Sequence, residues 1–321
     1  ANSRPRLRAT THRRGRFGLE FAPAPRSARC VSMHPTFSAH APAVAFATLC
    51  LLSILPTPTF AAPMPAARPL LGSKVFHYDE LPVRPIPQGE RREIAQHRTP
   101  TLEVFECHLI TLNPGQASHR PSRRPQEELL LVKEGHLEVH LNGRTQVAGP
   151  GSVLFCSANE ALAVRNSGDT PATCWVLNFT TPTTHHPEKH HRAPTLQSAV
   201  FDWSKLTVVP RPTGEGRQIL RGSTCTMDSL SCHATSVNGN LAAHGAHRHP
   251  DDEIVIVKEG LMEATIEGVA QRPAGPGSVF FFASNELHGM RNAGDARATY
   301  YVIRMITAAT PPAPPPGKKK A

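Results

Sequence analysis

Two uninterrupted apolar runs of four residues, LLLV at 129–132 and IVIV at 254–257, stand between polar positions. Runs this short, the second rich in β-branched residues, predict short strands. Leu137-Glu138-Val139-His140-Leu141 alternates apolar with polar, the period of a half-buried strand. It ends at Asn142-Gly143, a favoured pair for a tight hairpin turn. Residues 299–306 (TYYVIRMI) are β-branched and aromatic. Turn pairs recur at Pro114-Gly115, Gly168-Asp169 and Gly294-Asp295, and long amphipathic helices are hard to find. The pattern is all-β and predicts a sandwich or jelly roll.

The pattern also repeats. Residues 128–135 (ELLLVKEG) match 253–260 (EIVIVKEG), and Cys107-His108 matches Cys232-His233, at an offset of 125. After one inserted residue, 149–153 (GPGSV) matches 275–279, and Arg165-Asn166 matches Arg291-Asn292, at an offset of 126. Two copies of one domain follow, expected at 63–182 and 199–309. Between them 183–198, with His185-His186 and His190-His191, reads as a polar linker. The Pro- and Lys-rich 310–321 reads as a disordered tail.

Composition changes this picture in one place. The chain of 321 residues carries a formal charge of +10, which invites a nucleic-acid reading. Residues 1–62 hold eight Arg and one acid, and Lys318, Lys319 and Lys320 add the rest. Residues 63–317 balance 24 basic against 24 acidic side chains, so no basic surface is expected on the repeats. Residues 1–62 read as a leader. An uncharged run at 41–55 is too short for a membrane span, and Thr59-Phe60-Ala61-Ala62 is a small-residue cleavage signature. Residues 1–32 precede Met33 and read as an upstream extension. The expected location is periplasmic or secreted, with cleavage near Ala61 and no membrane span afterwards. Five cysteines lie beyond the leader without a CxxC pair, too few for a disulfide scaffold.

The chemistry concentrates in the second copy, at His247-Arg248-His249-Pro250-Asp251-Asp252-Glu253. Residues two apart in a strand share a face, so His247 and His249 can aim one way. A bend through Pro250 can return Glu253 beside them, and His288 follows a strand and a polar bend. Three imidazoles and one carboxylate would fill four positions of a metal and leave one or two open, as a catalytic site requires.

These residues resemble a known family. His247-x-His249-x3-Glu253-x6-Gly260 resembles the first cupin motif, and Gly277-x5-Ala283-x-Asn285-x2-His288-x3-Asn292 the second. The resemblance covers both repeats, roughly 74–182 and 199–307, so the chain resembles a bicupin. It implies tandem jelly-roll (double-stranded β-helix) barrels and one divalent ion, Fe, Mn, Ni or Zn, on His247, His249, Glu253 and His288. Ala283 and Asn285 replace the usual Pro and Gly of the second motif, and Leu241 replaces a Gly of the first. These positions shape loops, so the bend is at stake more than the ligands.

In the first copy the ligand positions become Ser122, Arg124 and Leu162, and only Glu128 survives. That carboxylate, beside Arg123 and Arg124, reads as half of an ion pair. His119 and His244 match each other, as do His108 and His233; retention in both copies reads as a fold role. Arg304 reads as a surface ion pair, with an acidic-substrate clamp as the alternative. The resemblance includes quercetin-dioxygenase-like cupins. The expected function is a metalloenzyme of dioxygenase-like type on a small organic substrate, with Glu253 as ligand and base. A metal-dependent lyase, decarboxylase or isomerase, or a non-catalytic small-ligand or metal-binding protein, are the alternatives. The expected partner is a small molecule and not nucleic acid, and the family implies a homodimer.

Overall fold

The computed structural model describes residues 69–190 and 193–312. The leader expected at 1–62 and the lysines of the tail lie outside the described residues. Twenty-two strands and three single-turn 3-10 helices make up the secondary structure of that part. Among the described residues no helix is long and apolar enough to cross a membrane.

Four antiparallel sheets carry the fold. In the first half a seven-stranded sheet runs Ala199–Phe201, Val153–Cys156, Glu127–Glu134, Ala172–Thr180, Val104–Leu112, Gly89–His97, Val83–Ile86. A four-stranded sheet runs Ser122–Arg123, Ala161–Asn166, Leu137–Leu141, Arg144–Ala148. The second half repeats both: Lys74–Phe76, Val279–Phe282, Asp252–Glu259, Ala298–Ile306, Ser229–Val237, Gly214–Gly222, Val209–Arg211, then Ala242–His247, His288–Asn292, Met262–Ile266, Val269–Ala270. This is the tandem jelly-roll arrangement that the pattern predicts.

The apolar runs are continuous because both faces of their strands are buried. Leu129 and Leu131 enter a core shared by the two halves, with Ile254, Ile256, Phe281 and Tyr301. Leu130 and Val132 fill the first barrel. Val255 and Val257 fill the second. Alternation at a period of two thus serves two cores at once.

The sequence copies and the sheets do not share boundaries. Lys74–Phe76, which opens the first copy, pairs with Val279–Phe282 of the second half. Ala199–Phe201, which opens the second copy, pairs with Val153–Cys156 of the first. Other contacts are reciprocal too. Glu127 accepts from the Thr224 and Thr226 hydroxyls and the Cys225 N–H. Its counterpart Asp252 accepts from the Thr99 and Thr101 hydroxyls. Trp175 Nε1–H donates to the Gly277 carbonyl at 3.3 Å, and the Tyr301 hydroxyl to that of Gly151 at 3.0 Å. The repeated GPGSV needs its second glycine: at Gly151 and Gly277 φ is 90° and 97°. A Cβ there would come within 2.7 Å of the Trp203 ring and 2.5 Å of the Tyr78 ring.

The stretch read as a polar linker is packed at its start. Thr183 and Thr184 are buried, and the Thr183 hydroxyl donates to the Thr226 carbonyl. The five cysteines of the described residues are free thiols, four of them buried. Burial pushes Cys174 up to about 12, so it packs as a small hydrophobe.

The second-motif bend survives its missing glycine. Asn285 holds φ at 63° and its first-copy match Asn159 at 62°. Asn is the residue that tolerates the left-handed region best after Gly. Asn285→Ala is expected to cost about 1 kcal/mol and Asn285→Gly less, as read by urea denaturation.

Candidate metal centre

His247 is the last residue of Ala242–His247, and His288 the first of His288–Asn292; the two strands pair them directly. Glu253 is the second residue of Asp252–Glu259. His249 lies outside any strand, in the bend before Pro250. His247 and His249 therefore converge through that bend and not through strand alternation. Arg248 pins the loop: it forms a two-bond pair with Glu267 and donates to the Asn285 carbonyl. The Asn285 N–H donates back to the His249 carbonyl at 2.8 Å. The Phe282 ring stacks on His288 at 4.3 Å between centroids, closing that side to water.

Each imidazole is oriented from behind. Nδ1–H of His247 donates to the Gly245 carbonyl, that of His249 to Asp251, and that of His288 to Glu286, at 3.2, 2.9 and 2.9 Å. A carbonyl can only accept, so Nδ1 carries the proton and Nε2 presents a lone pair. The three candidate ligand atoms lie within 4.8 Å of one another. Nε2 of His249 and Nε2 of His288 are buried without a hydrogen-bond partner. Glu253 brings Oε2 to 3.3 Å from Nε2 of His249 and Oε1 to 4.0 Å from Nε2 of His288.

Lone pairs and a carboxylate facing one another inside a barrel repel unless a cation sits among them. A divalent ion about 2.1 Å from each donor would place the donors roughly 3–4.2 Å apart, close to the spread observed. Backbone carbonyls that fix the metal-facing tautomer are the usual support of such a site. The donor set therefore fits a metal.

Without metal, a proton takes the cation's place. Burial alone would push His249 down, but Asp251 and Glu253 overcome it and lift it to about 9. Burial pushes Glu253 up, and His249, His288 and Arg304 outweigh it and hold the carboxyl below its ordinary value. For His288 burial dominates and lowers it. A raised histidine stabilises the fold fully below the ordinary value near 6.5 and loses that contribution as pH climbs to about 9. The melting temperature of chelator-treated protein should thus fall across pH 6.5–9, and metal affinity should rise over the same window as the competing proton leaves.

Behind His249 stands an element that sequence reasoning placed on the surface. Arg304 grips Asp251 with two bonds of 2.6 and 2.8 Å, and its Nε lies 3.8 Å from Glu253 Oε2. Asp251 also lies 3.3 Å from Nδ1 of His249. Arg304 is thus half-buried and joined to the centre. Its ion pair borders a cavity of about 410 Å³ that also meets Arg211, Gln218, Ser231 and His233. Gly216 leaves room for Arg211, whose Nε would lie 2.6 Å from a Cβ at that position. His244, read as a fold residue, stands edge-on to His247 at 4.8 Å between ring centroids. Its match to His119, whose imidazole bonds the Arg120 carbonyl, hid this.

Among the described residues the first half carries no such set. Ser122 pairs with Leu162 as His247 pairs with His288, which confirms the alignment of the copies. Two ligands are a hydroxyl and a leucine, and Arg124 stands where His249 does. The ion pair expected for Glu128 is not formed: among the described residues it has no partner within salt-bridge distance. Arg123 donates instead to the Asn159 carbonyl.

Comparison with known proteins follows the same division. A family profile described as Cupin domain matches residues 108–178 and 237–304. Protein YlbA from E. coli superposes with a TM-score of 0.57 at 16% identity, covering 73% of this chain and 90% of that one. Oxalate decarboxylase of Lactobacillus farciminis, as a formate complex, gives 0.55 at 12% identity, covering 75% and 88%. A mutant of the Bacillus subtilis oxalate decarboxylase OxdC gives 0.54 at 12% identity, covering 76% and 80%. No curated protein sequence matches significantly. At these identities the structural likeness speaks for the fold alone.

Proposed function

Starting from the fact that this chain is a bicupin, two cupin domains in tandem, we propose that it is an exported metalloenzyme of dioxygenase-like type with one mononuclear divalent-metal site in its second domain. The observation that carries this reading is the pair of buried, unpartnered Nε2 atoms of His249 and His288, aimed at His247 and Glu253. A second-domain ion on His247, His249, Glu253 and His288 would be Fe(II), Mn(II), Ni(II) or Zn(II). The B. subtilis oxalate decarboxylase is described with Mn(II) centers. Such an ion supplies a Lewis acid, and a redox-active one also electrons for oxygen chemistry.

The chain's own groups set the rest. Glu253 would help to hold the ion, and its carboxylate would be the group to accept a substrate proton. Asp251 fixes the tautomer of His249 from behind, and Arg304 keeps Asp251 charged. Phe282 excludes water on the His288 side. The adjoining cavity favours a substrate that carries a carboxylate. Arg211 borders it and has no ion pair among the described residues. In the first barrel Glu93 and Glu106 offset Arg91, and their counterparts here are Gln218 and Ser231.

That cavity also favours a second reading, non-oxidative decarboxylation of a small carboxylic acid. Metal analysis of the purified chain, with oxygen uptake over enediols and flavonols and formate release from oxalate, separates the two. A bound redox metal with substrate-dependent oxygen consumption is the expected result. Formate release without oxygen use would favour the second reading. Absence of any bound metal after reconstitution would overturn both.

A further inference from the structure

The barrel that lacks the metal ligands is not filled. It keeps a cavity of about 180 Å³. Arg124, Glu128 and Leu162, which stand where the second half has His249, Glu253 and His288, all line it. With Leu162, the buried Leu130, Val164 and Val176 give it an apolar wall. A cavity of about 150 Å³ takes a benzene-sized guest.

The charges of the lining decide what kind of guest. Two acids are already matched: Arg91 bonds both Glu93 and Glu106, and Arg84 lies 3.9 Å from Glu93. Burial pushes His108 down to about 4, so it is neutral at physiological pH. Arg124 and Glu128 remain. Glu128 is 8% exposed, and burial pushes its carboxyl up to about 7, so it is only partly ionised at neutral pH. It also lies beyond salt-bridge distance of Arg124. Among the described residues the exposed Arg124 guanidinium has neither an ion pair nor a hydrogen bond, and its charge is left under-compensated.

The two barrels are therefore opposite in charge at one place. In the second, imidazole lone pairs and a carboxylate face one another and call for a cation. In the first, a guanidinium beside an apolar wall calls for an anion. Arginine matches a carboxylate with two parallel bonds. An inorganic anion would leave the wall uncovered, and a hydrocarbon would leave the guanidinium unpaired.

We propose that the first barrel is a second binding site, for a small organic monocarboxylate of about benzoate size. Its carboxylate pairs with Arg124, and its apolar body lies on Leu130, Leu162, Val164 and Val176. The site is separate from the metal centre and needs no metal.

Benzoate is the probe for calorimetry on the full chain, with benzamide and toluene as its uncharged controls. Benzoate should bind roughly tenfold or more tightly than either, the margin of one charge-assisted pair. Arg124→Gln should remove that margin. Its side chain is exposed, so the variant should melt where the unmodified chain does, with metal content unchanged. Leu162→Trp fills the cavity and should abolish binding. Because the second domain also offers a carboxylate two places, the metal and Arg211, the same titration is run on His288→Ala and Arg211→Gln. The first-barrel event should survive in both. No benzoate binding to the unmodified chain, benzamide binding as tightly as benzoate, or undiminished binding in Arg124→Gln would each overturn the proposal. So would binding that persists in Arg124→Gln and is lost in His288→Ala or Arg211→Gln, which would assign it to the second domain.

Discussion

His288→Ala is expected to leave the protein folded and nearly free of metal, with affinity reduced by more than 100-fold. Loss of a supporting partner behind a ligand typically costs about 10–100-fold, and His288 is itself a donor in the proposed set. Its Nε2 is buried and unpartnered, so nothing else in the structure uses it. Its ring packs on Phe282, so alanine also admits water to the centre. His119→Ala is the control. That imidazole lies in the first half, bonded to the Arg120 carbonyl at 2.7 Å, and its loss should leave metal content unchanged. Metal analysis after dialysis against a weak chelator reads both. The opposite ranking would sink the assignment.

Trp175→Ala is the second large effect. The indole is fully buried in the core shared by both halves, and its N–H crosses to the Gly277 carbonyl. Removing a buried Trp costs about 3–5 kcal/mol, a large share of the stability of most proteins. Because the core mixes strands of both halves, the loss should appear as one shifted transition and not as selective melting of the first half. Calorimetry showing two resolved transitions would contradict a common core. Tyr301→Phe, which removes only the hydroxyl donated to Gly151, should cost about 1 kcal/mol.

The convergence of the three histidines was legible because their spacing states chemistry directly: two histidines around one residue, a carboxylate four further on, a third histidine after the next strand. The duplication was legible because its offset holds at 125 and then 126. The strand exchange was not. Residues 74–76 and 199–201 correspond within the repeat, and correspondence does not say which sheet a strand joins. The ion pair read for Arg304 is formed, but its partner was hidden for a similar reason. A strand face names its neighbours Tyr300 and Val302, while its partner Asp251 comes from a separate bend. The asymmetry between the barrels is equally hidden, since it lies in three unremarkable exchanges: Arg91 to Gly216, Glu93 to Gln218, Glu106 to Ser231.

The exchanged strands decide where this polypeptide can be divided. A break in 183–198 would not release two finished barrels. Each fragment would carry the other's outer strand and leave Val153–Cys156 or Val279–Phe282 as an open, sticky edge. Separately such fragments would aggregate, whereas together they would complement each other as a split protein does. The same reciprocal trade of strands is the architecture of a swapped homodimer. In evolutionary terms, a gene duplication that joined two swapped subunits end to end would need to invent no new interface. It would then be free to let the ligand positions of one copy drift to Ser122, Arg124 and Leu162 while the other kept its three histidines.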